Sequence, residues 1–413
     1  MNAGKMISVE DALRMVLEHT PGLGTCERDL MDAFGYVLAE EVRSDMNMPP
    51  FDKSAMDGYA VVASDVAKAS RARPVVLEVV DEIVAGRMPT RVVSPGEAAK
   101  IMTGAPVPQG ADAVVIVEVT EQVGSKVRIF EPCKKGANIC FLGEDIREGD
   151  IVLGKGKLLR AQEIGVLASV GRTKVRLFKR PEVAVIATGS EIVEPDIVPR
   201  PGQIRNSNAY SLSAQVVENG CTVRYLGIVS DRKPALEVRI REGLEADVLI
   251  LSGGVSMGAY DLVKETLRAL GVRLFFEKVR MKPGKPTVFG VRDSTLVFGL
   301  PGNPVSTIVA FEQFVRPAIR KMAGYSILDR PRVHAVLERS FTKKPGRRLF
   351  APARTVHRED GWHTDAVDSH GSADLLAMTH ANSFLIVPEE LGVLEAGEVV
   401  EVQLLDCGFG IAD

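Results

Sequence analysis

The stretch Val248-Leu249-Ile250-Leu251-Ser252-Gly253-Gly254-Val255-Ser256-Met257-Gly258 decides how this chain is read. Its four apolar residues predict a short buried strand, which opens into a Gly/Ser loop before a helical pattern begins at Ala259. In a strand-loop-helix turn, glycines let the backbone approach a ligand, and the N–H groups at the helix start carry partial positive charge. The expectation is a phosphate cradle built on Ser252, Gly253 and Gly254. Gly253 to Gly258 has P-loop spacing, but Ala259-Tyr260 stands where Lys-Ser/Thr is required, so a Walker-type nucleotidase or kinase is excluded.

Two further loops follow. Lys282-Pro283-Gly284-Lys285-Pro286 uses prolines to stiffen a backbone that holds two ammonium groups at a fixed spacing. Leu300-Pro301-Gly302-Asn303-Pro304-Val305-Ser306 puts Asn303 at an N-cap and Pro304 at the first helical position, predicting a second helix start at the same edge. Taken singly, each loop has an ordinary structural reading, since Gly-Gly turns, solvated lysines and Asn-Pro helix starts are common. Their company is what points to an anion site.

The surrounding residues 181–323 alternate strand and helix: strands at Val183–Ala187, Val223–Ile228 and Val248–Leu251, with helices near 208–219, 234–245, 260–270 and from 304. This pattern predicts a mostly parallel sheet with helices on both faces, and such sheets bind ligands beyond the carboxyl ends of their strands. Three acids fall there: Glu191, Asp231 and Asp261. Each could cap a helix, and for Asp231 and Asp261 capping explains the residue as well as catalysis does. Carboxylates beside a phosphate repel it unless a divalent cation lies between, so acids and lysines at one edge together suggest Mg²⁺ and a phosphorylated ligand.

The flanks read differently. Ser8 precedes an amphipathic helix carrying Val9, Ala12, Leu13, Val16 and Leu17, and a second helix is expected over about 29–42. From Met48-Pro49-Pro50-Phe51 to about residue 140 short strands prevail, at Val75–Val80, Ala113–Val119 and Lys126–Phe130, before a helix near 160–169. The tail, with strands at Val333–Leu337, Thr355–Val356, Phe384–Val387 and Val399–Leu404, reads as a small all-β module in which His357, Trp362 and His363 sit on a hairpin.

Composition sets the limits. The 413 residues suggest roughly three domains at the usual domain size. A formal net charge of −3 gives no general attraction to nucleic acid or membrane, so an anion site must be a local cluster. Five cysteines (Cys26, Cys133, Cys140, Cys221, Cys407) form no C-x-x-C pair, which fits a reducing cytoplasm. No signal-peptide core and no membrane-length apolar run is present, and the six histidines form no zinc motif.

With these segments side by side, the sequence resembles the molybdopterin molybdenumtransferase family, the molybdenum insertases whose eukaryotic relatives include part of gephyrin. The resemblance spans essentially the whole chain. It rests on Pro50-Phe51-Asp52-Lys53-Ser54-Ala55-Met56-Asp57-Gly58-Tyr59-Ala60, Met102-Thr103-Gly104-Ala105, Thr188-Gly189-Ser190-Glu191, Ser252-Gly253-Gly254-Val255-Ser256 and the lysine and Asn-Pro loops, in the family's order.

The resemblance implies a multidomain α/β plus β protein. A discontinuous linking domain (1–45 plus 141–177) would carry an inserted β-rich domain (46–140), followed by a three-layer α/β molybdopterin-binding domain (178–327) and a C-terminal β-barrel (328–413). It further implies an elongated homodimer with the active site between the α/β domain of one subunit and the inserted domain of the other. The implied reaction converts adenylylated molybdopterin and molybdate into molybdenum cofactor and AMP, with Mg²⁺.

Carried over by motif, Glu191, Asp231 and Asp261 are the acids of the pterin-nucleotide site and candidate Mg²⁺ ligands. Lys278 and Lys282 would bind phosphate or oxyanion, and Lys285 would join Lys282 on molybdate. Ser252, Gly253, Gly254, Pro301 and Asn303 would line the substrate site. Asp57, Thr103 and Asp145 match functional positions of the inserted and linking regions, while Arg347 and Ser372 match positions near molybdate. Many relatives carry Asp-Glu where Ser190-Glu191 stands, and many carry a second arginine where Ala351-Pro352-Ala353 stands. Implied partners are molybdopterin adenylyltransferase and molybdoenzyme-maturation proteins. The alternative function is a non-catalytic carrier or scaffold for the pterin cofactor, against which the intact acids and lysines argue.

Overall fold

A computed structural model of the chain describes residues 6–254 and 262–405. They fall into two compact units: one within Met1–Ala39, Gly156–Arg160 and Lys174–Asp413, the other Glu40–Lys155 with Ala161–Thr173.

The first unit is built around a six-stranded sheet in the order Thr222–Val229, Glu182–Thr188, Val248–Ser252, Thr295–Leu300, Val288–Arg292, Arg273–Phe276. The first four strands run parallel, and the last two are joined through antiparallel pairings. Every residue of Val248–Ser252 is buried, as the short apolar run requires of a strand covered on both faces.

Side chains divide with period two. Val183, Val185, Ala187, Val248 and Ile250 enter one core with the helix Asn208–Glu218 and the helical run from Pro304. Ala184, Ile186, Leu249 and Leu251 enter a second core with Lys233–Gly243 and Leu262–Ala269. The result is a three-layer α/β domain, with helices where the alternating pattern places them. The helix Val9–Glu18, capped by Ser8 Oγ accepting from Asp11 N at 3.0 Å, adds Val9, Ala12 and Val16 to the first of these cores.

The C-terminal strands Arg348–Arg358, Gly361–Ala366, Arg332–Leu337, Val399–Leu404 and Ser383–Val387 pair in that order, and the last returns to pair with the first, closing a five-stranded barrel. One addition matters for the site. Met281–Lys282 pairs in parallel with the start of the first barrel strand, with Lys282 opposite Leu349.

The second unit carries a six-stranded sheet in which Gly58–Val61 lies between Ala113–Ile116 and Glu97–Ile101. Gly58 is required there because a Cβ would lie 1.9 Å from the Val115 carbonyl oxygen.

One expectation fails. Over 29–42 only Leu30–Ala33 is helical, as a single 3-10 turn, and Thr25–Asp29 and Val42–Arg43 are strands. Gly35 at φ 74° ends the turn, and the backbone then pairs instead, Val37 with Leu158 and Leu38 with Leu177. No helix among the described residues is long and apolar enough to cross a membrane.

Candidate active site

A cavity of about 1300 Å³ opens at the carboxyl ends of the parallel strands, lined entirely by residues of the first unit. The glycine loop lines it through Ser252, Gly253 and Gly254. Gly253 and Gly254 have φ of 90° and 66°, and added Cβ atoms would lie 2.4 Å from Thr188 O and 2.6 Å from Val263 Cγ2 respectively. Both positions therefore demand glycine, on conformational and on steric grounds. Gly253 N donates to Leu300 O at 3.1 Å, fastening this loop to the one that begins at Pro301.

Asn208, at the start of its helix, completes the fastening. Its Nδ2 donates to Ser252 Oγ at 2.9 Å and to Gly302 O at 2.7 Å. The carbonyl can only accept, so the amide nitrogen must face it, leaving Oδ1 buried without a hydrogen-bond partner among the described residues. The expected N-cap at Asn303 is present in position, but its side chain makes no capping bond. Instead Asn303 Nδ2 donates to Ser372 Oγ at 2.8 Å, tying the α/β loops to the barrel module.

Glu191 and Asp231 both line the cavity from neighbouring strand ends. Gly189 N donates to Val229 O at 3.2 Å, and Asp231 N to Ser190 Oγ at 3.4 Å, so Ser190 joins the two loops. Asp261 lies outside the described residues. Among the described residues no three acids, histidines or cysteines form a metal-binding group. Two carboxylates alone suit a hard cation that takes its remaining ligands from water and substrate phosphate, which is the manner of Mg²⁺.

The cavity also carries cations. Lys282, Lys285 and Arg347 all line the cavity, brought together because the lysine loop pairs with the barrel strand that Arg347 precedes. Gly284, at φ 103° with Met281 Cε where a Cβ would sit, lets the loop turn. Lys278 is half-buried and is not among the lining residues. Pro301 and Ser372 are.

The remaining expected residues belong to the second unit. Asp57 and Thr103 meet there: Thr103 N and Oγ1 donate to Asp57 Oδ1 at 2.7 and 2.8 Å. The Thr103 backbone N–H, and after it the hydroxyl, hold the Asp57 carboxyl below the usual carboxylate range. Asp145 is exposed, its N–H donating to Met48 O at 3.0 Å.

Asn208 and Lys343 are among the cavity residues that the sequence did not single out. The first gave no signal beyond its place at a helix start. The second had one: Lys344-Pro345-Gly346-Arg347 repeats the lysine-loop pattern Lys282-Pro283-Gly284-Lys285, with Lys343 just before it.

The MoeA N-terminal region (domain I and II) family model matches residues 7–171, the probable molybdopterin binding domain model residues 184–321, and the MoeA C-terminal region (domain IV) model residues 334–405. A molybdopterin molybdenumtransferase of Bacillus subtilis is 36% identical over 97% of this chain and 94% of its own. One from a Nostoc species is 36% identical over 96% and 93%. Among solved structures, a molybdopterin biosynthesis MoeA protein from Pyrococcus horikoshii aligns with TM-score 0.83 and 30% identity, covering 97% of this chain and 100% of that one.

Proposed function

Because the chain belongs to the molybdopterin molybdenumtransferase family, in which it is a transferase inserting molybdenum during molybdenum cofactor biosynthesis, we propose that its cavity joins adenylylated molybdopterin to molybdate and releases AMP. The observation that carries this reading is that one cavity brings together the acids Glu191 and Asp231 and the cations Lys282, Lys285 and Arg347. A phosphoanhydride needs its leaving charge stabilised, and a dianionic oxyanion needs fixed cations and donors; this lining can meet both demands.

In this proposal Ser252, Gly253, Gly254 and Pro301 present the backbone to the pterin nucleotide, and Asn303 and Ser372, already hydrogen-bonded to each other, close the site toward the barrel. Lys282 and Lys285 hold the oxyanion, with Arg347 beside them, and Lys278 binds phosphate or the oxyanion with Lys282. Glu191 and Asp231, with Asp261, would hold Mg²⁺, which when bound neutralises charge between the carboxylates and the phosphates. The chain's own residues do the rest: the lysines draw the oxyanion against the phosphate, and the stiff loops keep both from drifting.

The proposal includes a four-domain homodimer, divided as the family resemblance implies, in which Asp57, Thr103 and Asp145 of one subunit serve the cavity of the other. The strand pairings Thr25–Asp29 with Lys174–Phe178, within the first unit, and Val42–Arg43 with Ile151–Leu153, within the second, each join segments far apart in sequence. A cytoplasmic enzyme receiving its substrate from molybdopterin adenylyltransferase and passing its product to molybdoenzyme-maturation proteins completes the reading.

The test is AMP release from adenylylated molybdopterin with and without molybdate. Release should require molybdate and should be lost in Asp261→Ala and in Glu191→Gln. AMP appearing equally fast without molybdate would overturn the mechanism, and tight pterin binding with no release under any condition would favour a carrier.

A further inference from the structure

Lys343 is a charged residue only 8% exposed, and it lines the cavity. Its backbone is fixed by Lys343 N donating to Gly392 O at 2.8 Å, so the side chain leaves from a rigid point. The ammonium donates to Arg347 O at 2.9 Å and makes no ion pair among the described residues. A lysine ammonium has three donors, and a carbonyl satisfies one.

Burying an ammonium without a counter-charge is costly, and buried charges are normally paired. Burial lowers the pKa of Lys343, Glu389 and then Glu390 oppose that shift, and Lys282 adds a smaller push in the direction of burial. Glu389 is engaged elsewhere, 3.3 Å from Arg348 Nε. Lys282, Lys285 and Arg347, on the same cavity, likewise have no ion pair among the described residues. Lys343, Lys282, Lys285 and Arg347 line one cavity, and among the described residues none of the four has a carboxylate within ion-pairing distance.

We propose that Lys343 is a fourth cation of the oxyanion subsite, completing with Lys282, Lys285 and Arg347 a cluster that selects tetrahedral dianions over monoanions. This rests on the reading of the cavity given above and adds to it both a residue and a selectivity. The hydrogen bond to Arg347 O gives Lys343 a second task, folding the turn 343–347 around its own ammonium so that Arg347 is held at the cavity.

The competing explanation is that Lys343 only folds that turn. Calorimetric titration of the full chain with molybdate and with perrhenate, a monoanion of the same shape, separates the two. Coulomb energy scales with ligand charge, so Lys343→Met should weaken molybdate about tenfold and perrhenate about threefold, while Lys343→Arg restores most of the difference. Equal losses for the two anions, or no loss for either in a wild type that binds molybdate, overturn the proposal but leave the cavity reading intact. A wild type that binds no molybdate at all removes both.

A measurement on the unmodified chain guards against a Lys343→Met variant that does not fold. Molybdate should protect Lys343 from reductive methylation, read by peptide mass spectrometry, and AMP alone should not. Protection by AMP as strong as by molybdate would hand the residue to the nucleotide phosphate and overturn the assignment.

Discussion

Asn208 holds two loops with one amide, and the geometry fixes which atom does it. Because Gly302 O and Ser252 Oγ both take hydrogen bonds from Nδ2, a carboxylate at this position would set an anionic oxygen against a carbonyl. Asn208→Ala should cost about 1–2 kcal/mol, the loss of two modest hydrogen bonds partly offset by removing the orphaned Oδ1. Asn208→Asp should cost more than the alanine variant, since a favourable helix N-terminus returns only about 0.3–1 kcal/mol. Urea denaturation ranks the two, and an aspartate variant more stable than the alanine one would show the loops are not held this way. Asp57 makes a second residue-scale case. Its folded pKa lies below its unfolded one, so its stabilising contribution is present above the unfolded value and lost as pH falls through the folded value. Thr103→Val keeps the N–H donor and removes the hydroxyl, so NMR titration of the Asp57 carboxyl should show its pKa rise part of the way to the ordinary value. An unmoved midpoint would mean the hydroxyl contributes nothing.

Among the elements, the helical run from Pro304 to Met322 departs most from what its sequence announces. Asn-Pro marks its start, and its apolar content marks it as buried, but a π turn at Phe311–Val315 interrupts it and every residue of that turn is buried. Nothing in local propensity signals a wider turn; it is tertiary packing that places Glu312 inside, where Arg330 Nε meets it at 3.0 Å and Arg316 Nε at 3.8 Å. Arg330→Met removes the nearer of the two arginines on that buried carboxylate and should cost about 3–5 kcal/mol, whereas pairing it with Glu312→Gln should cost clearly less than the sum of the two single changes. Additive losses in urea denaturation would remove the coupling. The strands of the α/β sheet were legible because burial on both faces leaves a continuous apolar signature, as in Val248–Leu251. The segment 29–42 was not, because Val37, Leu38 and Val42 sit at spacings that a helix face and a paired strand both satisfy, and Gly35 decides between them.

At the scale of the molecule, local pattern identified the three loops, and only their convergence explains them. Gly253 against Leu300 O, and Lys282 paired beside Leu349, join segments that the sequence shows merely as separate Gly and Pro clusters. Lys343 escaped notice for the complementary reason: burial, which makes an unpaired ammonium informative, is a property of the fold and is invisible in composition. Asp57 and Thr103 raise the same question one level up, since their contact is formed within the second unit while the cavity is lined by the first. If each cavity of a homodimer is served by Asp57 of the other subunit, two inactive variants can complement one another. Asp57→Ala and Lys282→Ala chains, unfolded and reassembled at equal concentration, would give half heterodimers, each holding one cavity with both residues intact. Molybdate-dependent AMP release should then recover to about one quarter of the wild-type rate. If Asp57 instead served the cavity of its own subunit, every cavity in the mixture would lack one residue, and the mixture would stay as inactive as either parent.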